Sequence, residues 1–247
     1  TQGSTERIIG SWFKARGTRD KVVLATKVAG RSPMNWLRTD GAGTEQTPRQ
    51  IAEAIDSSLK RLQTDRIDLY QLHWPDRPVA MFGSTGLAYR HAEGSSVPLE
   101  DILGALDAHV KAGKIRWVGL SNESAWGTMS FLHHATAKGL PRMQSIQNAY
   151  SLINRTFEQG LAEITHRERV GLLAYSPLAQ GYLTGKYQNG ALPAKSRKAL
   201  FNRLQRYEKP QTAPAVERYL AIAKLFDLDP AQMALQFVTT RPFVTST

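Results

Sequence analysis

Short apolar runs alternate with longer amphipathic stretches along this chain, and the alternation predicts strand and helix in turn. Ile8, Ile9, Trp12 and Phe13 recur at helical spacing behind Thr5, a residue able to cap a helix. Residues 22–27 are an apolar run closed by Lys27, which predicts a strand. A loop rich in glycine and polar residues follows. Thr47-Pro48 then opens a helix with apolar positions Ile51, Ala54, Ile55, Leu59 and Leu62. Residues 67–73 predict a strand, and a long loop from Trp74 to about Val97 leads to a helix over 99–112, with Gly113 as its stop. The pattern continues with strands over 115–120, 143–148 and 170–175, helices over 124–138 and 156–169, and a long basic loop. Helices from about Gln211 to Phe226 and from Asp229-Pro230 to Thr239 precede a last short run, Phe243-Val244-Thr245.

Continuous apolar strands separated by amphipathic helices predict a parallel sheet covered by helices. No Gly-x-Gly-x-x-Gly follows any of the strands, which removes the usual phosphate site of a doubly wound sheet. In a (β/α)8 barrel the chemistry sits at the C-terminal strand ends. Those ends here carry Lys27, His73, Ser121-Asn122, Gln147-Asn148 and Tyr175-Ser176, all polar and chemically capable.

These residues lie in longer motifs. Leu72-His73-Trp74-Pro75, the run from Gly113 to Asn122, Gln147-Asn148, Tyr175-Ser176-Pro177-Leu178 and Leu183-Thr184-Gly185-Lys186-Tyr187 follow one another in order. Together they make the whole chain resemble the aldo-keto reductase superfamily, most strongly its bacterial Tas-type branch, which is related to potassium-channel β-subunits. The resemblance implies a (β/α)8 TIM barrel that reduces aldehydes or ketones with NADPH. It implies a tetrad of Asp, Tyr, Lys and His, in which hydride passes to the carbonyl carbon and Tyr gives a proton to the oxygen. Lys27 matches the Lys that stabilises tyrosinate, and His73 the His that polarises or orients the substrate oxygen.

The same resemblance implies the cofactor residues. Ser121, Asn122 and Gln147 match the groups that hydrogen-bond the nicotinamide carboxamide, and an amide needs both a donor and an acceptor. Tyr175 matches the aromatic that stacks under the nicotinamide. Ser176, Pro177, Leu178, Gln180 and Gly181 match the loop around the pyrophosphate. Lys186 and Arg197 match cations on the cofactor phosphates, and an Arg fork suits a 2′-phosphate, which argues for NADP(H). Trp74 and Phe82 either line an apolar substrate pocket or cover the rim. The long loop also carries Met81, Leu87 and Tyr89, and the loop before Thr47 carries Met34, Trp36 and Leu37.

Composition narrows the alternatives. The 247 residues include no cysteine, which excludes disulfides, thiolate metal sites and a cysteine nucleophile, and no metal site is expected. The net charge of +11 favours anionic partners, yet the basic residues are scattered, with the densest group at Lys195, Arg197, Lys198, Arg203 and Arg206. Specific nucleic-acid binding is therefore not expected. No run is apolar enough to span a bilayer and the first residues are no signal peptide, so a cytoplasmic location is expected.

No Asp–Tyr pair within residues 1–247 fits the remaining tetrad roles. The chain is accordingly expected to be a single partial barrel domain over 1–247, lacking the first two strands and the C-terminal adenosine-binding segment. As such it is expected to be inactive alone, while the longer protein reduces a small-molecule carbonyl substrate. The alternative is a non-catalytic NADP-binding module that senses redox state or regulates a partner. Oligomeric state is left open.

Overall fold

The computed structural model describes residues 2–82, 93–201 and 205–247. Leu87, Tyr89 and Arg203 lie outside the described residues. Helices and strands alternate as the pattern predicts up to the fifth strand, after which three helices precede the last strand, the first of them within the expected long basic loop. The elements are α1 (Ser4–Arg16), β1 (Ala25–Val28), α2 (Pro48–Leu62), β2 (Ile67–Leu72), α3 (Leu99–Lys111), β3 (Ile115–Ser121) and α4 (Ala125–Lys138). Then come β4 (Met143–Ala149), α5 (Leu161–Glu168), β5 (Gly171–Tyr175), α6 (Arg197–Phe201), α7 (Thr212–Leu225), α8 (Pro230–Thr239) and β6 (Val244–Ser246). The six strands are ordered in the sheet as they are in the chain. With helices between parallel strands, this is an α/β fold consistent with part of a (β/α)8 barrel.

The described residues form two compact units, one of residues 2–79 and 93–146 and the other of 80–82, 147–201 and 205–247. In the first unit β1 runs parallel to β2, with Lys27 opposite Gln71, and β2 runs parallel to β3, with Gln71 opposite Gly119. Thr47 caps α2 through Gln50 N–H, and Pro48 occupies its first turn, where a missing N–H costs nothing. Ile51, Ala54, Ile55 and Leu62 are buried from α2, and Ile102, Leu103 and Leu106 from α3. At the start of the strands, Asp68 accepts hydrogen bonds from Leu24 N–H and Arg116, and pairs with Arg19 at 2.9 Å. These partners hold its carboxyl below the ordinary value against the opposing cost of burial.

In the second unit β5 and β6 pair in parallel, with a register shift between Leu172 and Leu173. The segment after β5 packs into the core there: Ala179, Tyr182, Leu183, Tyr187 and Tyr207 join Val216 and Ala234. A basic, loop-like sequence is thus fixed by aromatic burial.

Local departures from the predicted pattern have physical reasons. Thr5 does not cap α1; Gly3 stands there at φ 81, without a side-chain hydrogen bond. Ile8 and Trp12 are exposed while Phe13 is buried. Val22 and Val23 are exposed and precede the strand, which starts where Ala25 meets Leu69. The expected helix over 156–169 is broken: a short turn at Thr156–Glu158 precedes Gly160 at φ 90, and α5 starts after it. Such a conformation suits glycine and interrupts a helix.

Asp229 caps α8 by accepting from Gln232 N–H at 2.8 Å. Asp229→Ala should lower the unfolding free energy by about 1 kcal/mol, read as a shifted urea midpoint at unchanged slope.

Candidate functional site

The first unit builds its part of the site on two adjacent strands. Side chains alternate along a strand, and residues in register on parallel neighbours share a face. Lys27 lies opposite Gln71, and His73 follows Gln71 by two residues, so Lys27 and His73 share one face. The ladder continues past the end of β2, where His73 N–H donates to Val28 O at 2.9 Å. Thr26 points the other way and donates to Glu6 of α1 at 2.6 Å.

Burial depresses the Lys27 ammonium pKa below its ordinary value. Two causes push His73 down to about 4: loss of hydration first, then repulsion by Lys27. His73 is an exposed residue, which moderates the shift, but both causes act in one direction. At neutral pH the pair is therefore a cation beside a neutral imidazole, the form able to accept or donate a hydrogen bond at a substrate oxygen. Between them Gln71 is fully buried, and its amide makes no hydrogen bond among the described residues.

Asn122 extends this end of the unit. Its backbone turns at φ 55 beyond β3, and its amide donates to His73 O at 2.8 Å and to Ser121 Oγ at 3.1 Å. The expected carboxamide readers Ser121 and Asn122 thus stand directly beside His73. Trp74 packs its ring 4.7 Å from the His73 ring and donates its indole N–H to Arg31 O at 3.1 Å. Gly30 has no room for a side chain, because a Cβ would strike the carbonyl and indole of Trp74.

The second unit holds the other candidates. Tyr175 ends β5, and Arg206 donates to its hydroxyl at 3.0 Å. The Arg206 guanidinium also lies 5.4 Å from the Tyr175 ring and 5.3 Å from that of Phe82. Ser176, Ala179, Gln180 and Gly181 all take positive φ, at 59°, 47°, 58° and 101°. This folds the loop sharply through Pro177 and Leu178, and Gly181 N–H closes back on Leu178 O. The Lys186 side chain lies across Gly181, where a Cβ would meet its Cε and Nζ. Arg197 is exposed at the start of α6, and the neighbouring Lys198 pairs with Glu208 at 2.9 Å.

Lys27, His73, Trp74, Ser121 and Asn122 accordingly belong to the first unit, and Gln147, Tyr175, Ser176, Pro177, Leu178, Gln180, Gly181, Lys186, Arg197 and Phe82 to the second. Sequence reasoning counted Arg206 only as part of a basic cluster and missed its hold on Tyr175. It also passed over Asp76, whose partners are distant in the chain. Among the described residues no group of three or more His, Asp or Glu gathers as a metal site, and no helix is long and apolar enough to cross a membrane.

Each unit thus ends its parallel strands in polar groups, a half-buried Lys27 with His73 in the first and Tyr175 with a tight glycine loop in the second. The Aldo/keto reductase family model matches residues 1–247, and the chain belongs to that family. It is 51% identical over 249 residues to Protein tas of Escherichia coli (strain K12), covering 100% of this chain and 71% of that protein. It is 42% identical over 240 residues to an aldo-keto reductase of Babesia bovis, covering 92% and 84% of the two chains. A putative voltage-gated potassium channel subunit beta of Schizosaccharomyces pombe (strain 972 / ATCC 24843) is 28% identical over 254 residues, covering 100% and 67%. The family acts on small carbonyl compounds and generally uses NAD(P)H.

The folded His73 binds a proton less readily than the unfolded chain, whose imidazole titrates near 6.5. Its contribution to stability is complete above that pH and is lost as the pH falls towards about 4. Histidine-labelled NMR titration should find His73 neutral at pH 6, and Lys27→Met should raise its midpoint by removing the repelling charge.

Proposed function

We propose that this chain carries the working residues of an NADPH-dependent reductase of aldehydes or ketones. The observation behind this reading is the dehydrated Lys27 beside a neutral His73 on one face of adjacent strands. When bound, the reduced nicotinamide would supply the hydride. His73 holds the carbonyl oxygen through a hydrogen bond and thereby orients the carbon for attack. Lys27, short of water, stabilises the negative charge that appears when a tyrosine gives its proton to that oxygen. A dehydrated ammonium does this better than a solvated one, since its charge is less screened.

The residues assigned to the cofactor fit its chemistry. Ser121, Asn122 and Gln147 offer the donors and acceptors that a carboxamide requires. Tyr175, braced by Arg206, presents a ring able to stack on nicotinamide. The sharply folded 176–181 loop, with Lys186 lying against Gly181, presents a cation where a pyrophosphate would be held. Arg197, exposed nearby in sequence, suits a 2′-phosphate and so favours NADPH over NADH.

The test uses the polypeptide expressed from the complete gene, with NADPH and nitrobenzaldehyde, followed by loss of NADPH absorbance. Lys27→Met should leave NADPH binding nearly intact and slow turnover by about ten- to a hundredfold, the equivalent of one lost charge-assisted hydrogen bond in the transition state. His73→Ala should lower the plateau of the pH–rate profile without moving its ionisation, whereas Lys27→Met moves it. Wild-type turnover in Lys27→Met, or no reduction across a broad aldehyde and ketone panel, would overturn the reading. In the second case NADPH binding without turnover would favour a redox-sensing module.

A further inference from the structure

Asp76, three residues after His73, is buried, with its side chain 1% exposed. Its carboxylate gathers partners from two other parts of the first unit. Oδ1 accepts from Gln46 N–H at 2.8 Å. Oδ2 accepts from Arg31 Nη2 at 3.0 Å and from Val97 N–H at 2.7 Å. Arg31 Nε also donates to the Asp76 carbonyl at 3.3 Å.

The same groups hold Trp74. Gln46 Nε2 donates to Trp74 O at 3.0 Å, and the Trp74 indole donates to Arg31 O at 3.1 Å. Each end of the 30–47 loop therefore grips both Trp74 and Asp76. Val97 marks the return of the long loop that leaves after Trp74, so one carboxylate fastens that return as well. Three charged or backbone donors converge on the two oxygens of this buried carboxylate.

We infer that Asp76 is a positioning residue for substrate entry: through Arg31, Gln46 and Val97 it fixes Trp74 and the 30–47 loop beside His73. This rests on the reductase reading above for its consequence on substrate, but not for its consequence on the loop. Asp76 touches neither the His73 ring nor Lys27 in the hydrogen bonds described, so its loss should alter how carbonyl substrates are received rather than the chemical step.

Asp76→Asn is the decisive variant. Its amide keeps one oxygen but turns an NH₂ group towards donors, so whichever way it is oriented at least one buried N–H loses its acceptor. In the polypeptide from the complete gene, KM for nitrobenzaldehyde should rise about tenfold, with kcat within about twofold and KM for NADPH unchanged, the pattern of lost substrate binding. Trypsin cleavage after Arg38, which is 8% exposed, should accelerate about fivefold or more as the loop opens more often. Arg31→Gln removes one partner only and should shift both readouts less, in the same direction; it decides the matter if Asp76→Asn fails to fold. A folded Asp76→Asn with unchanged aldehyde KM and unchanged cleavage overturns the inference. So does a fall in apparent kcat with both KM values unchanged, which is what a smaller folded fraction produces. If the wild type reduces no carbonyl, the reductase reading falls and the cleavage ratio alone decides the role of Asp76.

Discussion

The site in the first unit depends on register between two strands. Lys27 comes to the face it shares with His73 because Ala25–Val28 pairs with Leu69–Leu72 in this register. A slip by one residue would send Lys27 to the helix side, where Thr26 now meets Glu6, and bring an uncharged residue beside His73. What enforces the register is apolar. Val28, Leu72 and Tyr70 are buried on the face towards the helices, so misplacing the strand would put a lysine among them.

That register also sets the electrostatics. Lys27 loses part of its water to burial, and its charge in turn makes the neighbouring His73 less willing to take a proton. The lysine remains the cation because its ordinary pKa lies far above that of imidazole. The imidazole therefore gives way. That one of the two is a cation and the other a neutral ring follows from where the two strands end.

Much of this was legible in the sequence. The strand ends, the capped start of α2 and the candidate residues Lys27, His73, Ser121, Asn122 and Tyr175 could all be read from local patterns, because period, capping and motif are local. What escaped notice is held by partners far away in the chain. Asp76 reads as an ordinary loop carboxylate until Arg31, Gln46 and Val97 are brought to it. Arg206 reads as one basic residue among several until its guanidinium meets Tyr175. Val22 and Val23 look like strand and are not, since apolar character marks a strand only where a neighbour offers a ladder. The break at Gly160 was visible in the residue itself, but its weight depended on a positive φ that composition does not report.

The loop between β1 and α2 is closed at its base by a pair of backbone hydrogen bonds between Ser32 and Thr44, at 2.9 and 2.8 Å, reinforced by the two hydroxyls at 2.8 Å. Thr44 also reaches back to Gly30 O, at 2.5 Å. The eleven residues 33–43 therefore start and end at one clasp, which adds to the hold that Trp74 and Asp76 have on Arg31 and Gln46. Such a segment behaves as a cassette. Changes in its length or side chains at the tip leave the clasp of Ser32 and Thr44 in place. Strand register and loop fastening are thus separate devices, and a change made to one need not reach the other.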